Sequence, residues 1–271
     1  MNIAFIGGGN MAAALIAGLY GADNPPNRTR VSDPSPEARE RLEAAYPVEC
    51  FADAQAAVEG ADVIVLATKP QVMPTVLEAL APLVERRQTV VSIAAGITIA
   101  AISRALGDDI PIVRTMPNTP ALVGKGISGL YAGPACNDAH RKNAQRIMAA
   151  AGEVVWLDDE ALMDVVTAVS GSGPAYYFLL TEALRDAGQA GGLPPATAAK
   201  LALHTARGAG EMAAQSELDV AELRRRVTSP GGTTQAALEA LTEGGFNELV
   251  AKAVKAATER GRELSGEESG S

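Results

Sequence analysis

The sequence is poor in the residues that most often bind metals or act as nucleophiles. Its 271 residues include two cysteines, Cys50 and Cys136, and two histidines, His140 and His204. The cysteines lie too far apart for a zinc motif, and two cysteines do not make a disulfide framework. Two distant histidines are not expected to form a two-histidine metal site or a Ser–His triad. We therefore expect no metal ion, and we interpret both histidines as surface or packing residues.

Positive charge and long apolar runs are also scarce. The chain has 23 Lys and Arg residues against 32 Asp and Glu residues, a formal net charge of −9. An acidic chain is a poor partner for nucleic acid or an anionic membrane, and its one basic run, residues 224–226, is short. The longest weakly polar stretch, residues 90–102, is too short to span a bilayer, and the first residues do not read as a secretion signal. We expect a cytoplasmic protein that binds neither nucleic acid nor membrane.

The first half of the sequence shows a regular alternation. Short apolar runs that predict strands are followed by longer segments that predict helices. The predicted strands are 3–6, 30–32, 61–67, 89–93, 110–114 and 153–157, and the predicted helices are 11–20, 36–46, 77–84 and 99–106. This order predicts an α/β domain in which a parallel sheet carries helices on both faces.

The second half has a different character. After residue 160 we find no apolar run of strand type, and Gly and Pro clusters separate alanine-rich helical segments. We predict an α/β domain over 1–157, an all-helical domain over 158–264 and a disordered polar tail over 265–271. Small residues let helices pack closely, which suits a bundle that interlocks with a second chain and equally suits a tight monomer.

A glycine motif joins the first predicted strand to the first predicted helix. The spacing Gly7-x-Gly9-x-x-Ala12 matches the Rossmann dinucleotide fingerprint, with alanine in the third place. Gly7 permits the tight turn, Gly9 leaves room for the pyrophosphate, and Ala12 keeps the helix close to the strand. We predict cofactor contacts from these three residues and from Asn10 and Met11, at a helix N-terminus that favours phosphate. The alternative is a purely structural glycine turn.

Asp33 follows the second predicted strand. An acidic residue there accepts hydrogen bonds from the adenosine ribose of NAD and repels the 2′-phosphate of NADP. The polar neighbours Arg28, Arg30, Ser32 and Ser35 weaken that discrimination. We expect both NADPH and NADH to be used, with Asp33 favouring NADH, although Asp33 also fits the role of an Asp–Pro turn residue.

Three further segments follow later strands, where ligands bind in open α/β sheets. The segments are residues 67–71, 92–96 and 116–120, and the small residues and proline of the last two suit a floor under a nicotinamide ring. The cofactor-binding candidates in them are Thr68, Lys69, Pro70, Ala94, Ala95, Gly96 and Asn118. Lys69 either reaches the cofactor or is a solvated loop lysine.

Two unusual segments lie in the helical half, at residues 170–176 and 227–234. In the second, Ser, Thr and Gly residues precede a helix that is predicted to begin near Thr233. Exposed N–H groups and hydroxyls at a helix start suit a small carboxylate, and they equally suit ordinary helix capping.

Six motifs resemble, in order, those of the pyrroline-5-carboxylate reductases. They are IGGGNMA at 6–12, TKPQ at 68–71, SIAAGI at 92–97, RTMPNTPALVGKG at 114–126, VSGSGPAYYF at 169–178 and LRRRVTSPGGTTQAAL at 223–238. The resemblance implies a Rossmann domain followed by a helical domain that interlocks into a homodimer and often assembles into larger rings. It also implies an active site between the cofactor domain of one subunit and the helical domains of both.

The resemblance further implies the reaction and the roles of residues. Pyrroline-5-carboxylate, a cyclic imine, is reduced to L-proline by hydride from NADPH or NADH, which is the last step of proline biosynthesis and needs no metal. Thr234 is expected nearest the ring nitrogen, where its hydroxyl or a water passes the proton, and Glu217 either favours a protonated imine or is a surface charge. The substrate-binding residues implied are Ser172, Gly173, Glu217, Ser229, Gly232, Thr233 and Thr234.

Three other functions fit part of the sequence. A β-hydroxyacid dehydrogenase needs a general acid, usually a lysine early in the helical half, whereas the first lysine after Lys142 is Lys200. A non-catalytic NAD(P)-binding sensor would keep the glycine motif but has no need of residues 229–234. A reductase of a larger cyclic imine would differ in pocket walls that the sequence does not identify.

Overall fold

The computed structural model describes residues 1–266. Within it the chain forms two compact units: one holds residues 1–172 together with those from Ala257 onward, and the other holds residues 173–256. The first unit ends at residue 172, later in the chain than the predicted junction after residue 157. The two units are defined by their compactness and do not test where the functional domains begin, so the predicted domain boundaries remain a prediction.

The first unit contains every strand of the described chain. The strands are β1 (Asn2–Ile6), β2 (Arg28–Ser32), β3 (Glu49–Phe51), β4 (Val63–Leu66), β5 (Thr89–Ser92), β6 (Ile112–Met116), β7 (Gly126–Ala132) and β8 (Gly152–Trp156). Its helices are α1 (Asn10–Gly21), α2 (Pro36–Ala45), α3 (Ala54–Val58), α4 (Met73–Leu80), α5 (Ile99–Leu106), α6 (Asp138–Ala149) and α7 (Met163–Val166), which runs into a π-helical turn, Thr167–Gly171.

The strands form one sheet in the order β3-β2-β1-β4-β5-β6-β7-β8. All neighbours are parallel except β6 and β7, which pair antiparallel with Val113 opposite Ala132. The connection over residues 117–125 is shorter than the dozen or so residues that a parallel crossover needs, so β7 returns beside β6 in the opposite direction. The α/β class predicted from the sequence is confirmed, with this one antiparallel pair as the difference.

Two apolar cores lie on the two faces of the sheet. Along β1, Ile3 and Phe5 belong to one core and Ala4 and Ile6 to the other, as the two-residue period of a strand requires. The first core includes residues of α1 and α6, and the second includes residues of α3, α4 and α5. Each fully buried large side chain, such as Phe5, stabilises the fold by about 1.5–3 kcal/mol.

Several elements differ from the sequence predictions. β3, α3, β7 and α6 were not predicted, and the helix expected at 77–84 spans Met73–Leu80. The disordered tail was predicted to begin at residue 265, but Ser265 is the last residue of a helix and residue 266 is a turn. The rest of that predicted tail, 267–271, lies outside the described residues.

The second unit is helical, as predicted. It comprises α8 (Gly173–Ala190), α9 (Pro195–Gln215), α10 (Val220–Arg226), α11 (Thr233–Glu243) and the first part of α12 (Phe246–Ser265). Gly192 and Gly245, with φ of 96° and 79°, turn the chain between helices, as glycine does readily. Large apolar side chains stay exposed, among them Tyr177, Phe178 and Leu203.

The described part of the chain has neither a membrane-spanning helix nor a cluster of metal-binding side chains. Up to residue 266, no helix combines the length and the apolar character needed to cross a bilayer. In the same residues, no cluster of His, Cys, Asp and Glu side chains is arranged to hold a metal ion.

Candidate functional site

The strand order reverses direction between β1 and β4, and this places a crevice at the carboxyl edge of the sheet. From β1 the chain proceeds outward to β2 and β3, then crosses back to β4, β5 and β6. Ligands of open α/β sheets bind at such a switch point. The glycine motif lies there, directly after β1.

The glycine turn is held by close main-chain contacts. Gly7 has φ of 105°, and a Cβ at this position would lie 2.5 Å from the carbonyl oxygen of Ala67 at the end of β4. Its N–H donates to the carbonyl of Ser32 at 2.8 Å. A larger residue at position 7 would therefore have to displace the end of a buried strand.

The first turn of α1 is left open to solvent. Gly9 is the N-cap of this helix, it is exposed, and no side chain caps the helix. A Cβ on Gly9 would meet no atom within 4 Å. The N–H groups at this helix start are not capped by a side chain, and with the helix dipole they fit a pyrophosphate. Asn10 is exposed, Met11 is half-buried, and Ala12 is buried against the core.

Asp33 ties this turn to the end of β2. One carboxylate oxygen accepts the Gly8 N–H at 2.7 Å, and the other accepts the Ser35 N–H at 2.9 Å. Each oxygen has a second lone pair, so the half-buried carboxylate can still accept a ribose hydroxyl. Asp33 therefore acts as a turn residue, and its expected contact with ribose remains compatible with this geometry.

The arginines around Asp33 are not those that the sequence suggested. Arg28 pairs with Glu49 at 2.6 Å, and Arg30 donates to the carbonyls of Ala56 and Glu59, so neither guanidinium contacts the glycine turn. Two arginines of α2 lie there instead: Arg41 donates to the carbonyl of Gly8, and Arg39 donates to the carbonyls of Asp33 and Pro34. Their position on a helix surface gave no signal in the sequence.

The loop after β4 holds three of the predicted cofactor residues. The methyl carbon of Thr68 lies 3.2 Å from where a Cβ of Gly7 would stand, which places Thr68 beside the glycine turn. Lys69 is exposed, and its ammonium group has no bonded partner among residues 1–266. Pro70 begins the 3₁₀ turn Pro70–Val72 that leads into α4. Lys69 is thus free to meet a ligand, although no contact selects that role over solvation.

The loop after β5 is braced by the end of α12. Gly96 has φ of 72°, and a Cβ there would lie 3.3 Å from atoms of Leu264. The N–H of buried Ala94 is 3.4 Å from the hydroxyl oxygen of Ser92, while Ala95 is half-buried. The loop therefore holds a defined shape at the same sheet edge as the glycine turn.

Asn118 joins the loop after β6 to two other segments. Its side-chain amide donates to the carbonyl of Ser170 at 3.1 Å, and its side-chain oxygen accepts the Ile127 N–H at 3.0 Å. This largely buried side chain has a clear structural role. Its predicted contact with the cofactor remains a prediction.

A buried ion cluster that the sequence did not suggest lies near the start of α7. The Arg114 guanidinium lies 2.9 Å from a Glu160 carboxylate oxygen and 3.7 Å from one of Asp164. The same Glu160 oxygen accepts the Ile99 N–H at 2.9 Å, at the start of α5. Burial raises the pKa of Asp164, and the positive charge of Arg114 opposes that rise.

The loop before α11, in the second unit, has the predicted form of a helix start. Gly231 has φ of 70° and donates its N–H to the Gln235 side chain at 2.8 Å, while Gly232 is the N-cap with no capping side chain. The hydroxyls of Ser229, Thr233 and Thr234 have no hydrogen-bond partner in the described residues. Capping by these side chains is thus absent, and the groups remain available for a carboxylate.

The other predicted substrate residues lie in separate places along the chain. Ser172 follows the π-helical turn and donates its N–H to the carbonyl of Thr167 at 2.7 Å. Gly173 is buried at the start of α8, and Glu217 is exposed between α9 and α10. The structure thus brings Ser229 and residues 232–234 together in one loop, whereas the role of Glu217 remains a prediction.

The thiols and His140 do not have the properties of catalytic groups. Burial raises the pKa of Cys50 to about 11, and it also raises the pKa of Cys136. Both thiols are therefore protonated at neutral pH, when they are poor nucleophiles. His140 accepts the Asn137 N–H at 3.1 Å in the capping box of α6, and burial lowers its pKa.

A curated relative decides the family. The pyrroline-5-carboxylate reductase of Pseudomonas aeruginosa is 50% identical to this chain over 263 residues, covering 97% of this chain and 96% of the relative. The chain belongs to the pyrroline-5-carboxylate reductase family.

Solved structures agree with this membership. The pyrroline-5-carboxylate reductase of Coxiella burnetii matches with a TM-score of 0.93 at 41% identity, over 97% of this chain and 98% of that one. The pyrroline carboxylate reductase of Plasmodium falciparum, solved with NADP bound, matches with a TM-score of 0.84 at 30% identity, over 98% of both chains.

Two family models match separate parts of the sequence. Residues 160–264 match the model described as pyrroline-5-carboxylate reductase dimerisation, and residues 2–96 match the one described as NADP oxidoreductase, coenzyme F420-dependent. The second match spans the glycine turn, Asp33 and the loops after β4 and β5. The recognition made from the six reductase motifs is confirmed.

Proposed function

We propose that this chain reduces 1-pyrroline-5-carboxylate to L-proline with NADH or NADPH, the last step of proline biosynthesis. The observation that carries the proposal is the open N-terminus of α1 behind the Gly7–Gly9 turn, in a chain half identical to a curated reductase. A Rossmann turn alone would suit many dehydrogenases. The full-length identity narrows the reaction to that of this family.

The proposed cofactor contacts lie at the carboxyl edge of the sheet. The N–H groups at the start of α1 hold the pyrophosphate, Asp33 accepts from the adenosine ribose, and residues 94–96 form part of the floor for the nicotinamide. When bound, NAD(P)H supplies the hydride that reduces the C=N bond. No histidine, cysteine or metal is needed for the hydride step itself.

The proposed substrate contacts lie in the loop before α11. The substrate carboxylate accepts from main-chain N–H groups and from the hydroxyls of Ser229, Thr233 and Thr234, which have no competing partner in the described chain. Residues 172–173 shape the pocket floor.

The proton balance assigns a role to Thr234. As the imine carbon gains hydride, the ring nitrogen gains a proton and becomes the amine of proline. The proton comes from solvent water. The Thr234 hydroxyl orients the nitrogen or relays this proton to it, and Glu217 favours the protonated imine. The carboxylate contacts position the ring for this transfer.

We also propose that the chain is a cytoplasmic homodimer formed through the helical unit, and that dimers assemble into a larger ring. Residues 160–264 match the dimerisation model, and exposed apolar side chains are frequent in α8 and α9, including Tyr177, Phe178, Leu201 and Leu203. Apolar patches of this kind mark interfaces. Light scattering after size-exclusion chromatography measures the number of subunits.

The experiment that tests the function follows L-proline formation from racemic pyrroline-5-carboxylate by the purified full chain. Thr234→Ala is expected to raise KM for the imine and to lower kcat/KM, with NADH binding unchanged. The matched control is Thr242→Ala on the same helix, because the Thr242 hydroxyl donates to the Leu238 carbonyl at 2.7 Å and is exposed. Wild-type kinetics in Thr234→Ala would remove this residue from the site, and an absence of proline from the wild type would remove the function.

A further inference from the structure

Two arginines of α2 are anchored to the crevice by main-chain carbonyls. The Arg39 Nη1 atom donates to the carbonyls of Asp33 and Pro34, at 2.6 and 3.1 Å. The Arg41 Nη2 atom donates to the carbonyl of Gly8 at 3.0 Å. One guanidinium therefore lies against the end of β2, and the other lies against the glycine turn.

The charges of these two side chains are not neutralised by ion pairing. Arg28, Arg86 and Arg114 each pair with a carboxylate, at 2.6, 2.7 and 2.9 Å. In residues 1–266, no carboxylate lies within ion-pairing distance of Arg39 or Arg41. A carbonyl acceptor carries no net charge, so both guanidinium groups retain their positive charge.

Both arginines also keep N–H groups for another ligand. A guanidinium has five N–H donors, and the contacts above engage two of them in Arg39 and one in Arg41. In the described residues neither arginine donates to the Asp33 carboxylate, which accepts from the Gly8 and Ser35 N–H groups. Glu37, at the start of the same helix, accepts from the Ser35 hydroxyl at 2.6 Å.

We propose that Arg39 and Arg41 bind the 2′-phosphate of NADPH. The end of β2 is where the adenosine ribose lies in this fold, and a nearby arginine accommodates the 2′-phosphate in NADP-dependent members. A phosphate monoester is close to a dianion at neutral pH, and guanidinium forks match its geometry. The inference rests on the proposed function, since it assumes that the cofactor binds at this edge.

The proposal gives two separate determinants of cofactor choice. Asp33 accepts the 2′-hydroxyl of NADH, and the two arginines offset its repulsion of the 2′-phosphate. The chain therefore accepts both cofactors, and removal of either arginine shifts the preference towards NADH.

The test is isothermal titration of the full-length protein with NADP⁺ and with NAD⁺. Arg39→Met and Arg41→Met are each expected to raise Kd for NADP⁺ roughly tenfold or more, because a charge-assisted contact is lost, while Kd for NAD⁺ changes less than about threefold. The matched control is Arg86→Met, which removes an exposed arginine that lies before β5 and pairs with Asp109. It is expected to change neither affinity.

Lysine variants separate charge from structure. Arg39→Lys and Arg41→Lys keep the positive charge and are expected to retain part of the NADP⁺ preference even where the methionine variants fold poorly. Equal weakening of NADP⁺ and NAD⁺, or no change in the ratio of the two Kd values, would overturn the proposal while leaving the cofactor site in place. If the wild type bound neither nucleotide, both the proposed function and the proposed 2′-phosphate site would be wrong.

Discussion

The Asp33 carboxylate offers a direct test of how the cofactor edge is built. Asp33→Ala removes the acceptor of two main-chain N–H groups, those of Gly8 at 2.7 Å and Ser35 at 2.9 Å. Both donors lie in turns next to strand ends, and no other partner is recorded for either N–H in the described residues. The substitution therefore leaves both of them to water or unsatisfied.

The expected cost follows from these two bonds. A hydrogen bond to a charged group contributes about 1.5–3 kcal/mol, and partial exposure of Asp33 favours the lower end, so we expect a loss of about 2–4 kcal/mol in unfolding free energy. The glycine turn also loses its anchor to β2. Both NAD⁺ and NADP⁺ are therefore expected to bind more weakly.

The measurement is urea unfolding at neutral pH, followed by fluorescence of the single tryptophan, Trp156, which lies in β8 of the first unit. Asp53→Ala is the matched control. Asp53 caps α3 through one bond to the Ala56 N–H at 3.1 Å, and its loss is expected to cost about 1 kcal/mol. Nucleotide affinities are measured on the same variants by titration.

Two results with Asp33→Ala and Asp53→Ala would contradict the proposed role of Asp33. Should Asp33→Ala cost no more than Asp53→Ala, the two bonds do not stabilise the edge as argued. Should Asp33→Ala be destabilised but bind both nucleotides as tightly as the wild type, the turn does not depend on this anchor.

Three further predictions concern stability. Gly18→Ala places a Cβ against the Ala150 carbonyl and is expected to lower the unfolding free energy by about 1–3 kcal/mol, whereas Gly21→Ala meets no atom within 4 Å and is expected to be neutral or stabilising; equal melting temperatures would contradict this. The pKa of His140 is lowered in the folded protein, so its contribution to the unfolding free energy is present above pH 6.5 and is lost as the pH falls through the folded pKa. Between pH 7.5 and pH 5.5, His140→Gln is therefore expected to lose less unfolding free energy than the wild type. The pKa of Asp164 is raised in the folded protein, so its contribution to the unfolding free energy is present below the unfolded pKa and is lost as the pH rises through the folded pKa. Asp164→Asn is therefore expected to unfold at higher urea than the wild type at pH 7, and a strong destabilisation there would show that the ion pair outweighs burial.

Much of the fold could be predicted from local patterns. The apolar runs at β1, β4 and β5 are buried on both faces, which gives central parallel strands a sequence signal that surface strands lack. β7, with the sequence GISGLYA, was missed because two glycines interrupt its pattern. Its antiparallel direction depends on the short connection from β6.

The site was predicted unevenly, for physical reasons. Gly7 and Gly9 follow a strand at a fixed spacing, so their positions can be inferred from the sequence alone. Arg39 and Arg41 reach the crevice only because α2 packs where their side chains meet main-chain carbonyls. Arg28 and Arg30 are near Asp33 in sequence but bind groups elsewhere. Arg28 begins β2 and Asp33 follows it, so these two residues lie at opposite ends of the strand.

The central claim is that this chain is a reductase of a five-membered cyclic imine. The most direct test follows absorbance of NADH and of NADPH at neutral pH, with racemic pyrroline-5-carboxylate and, in parallel, its six-membered homologue. We predict oxidation of both cofactors that depends on the five-membered imine, with L-proline formed in equal amount. Nucleotide binding without turnover of that imine would contradict the claim, and faster turnover of the six-membered ring would assign a different substrate.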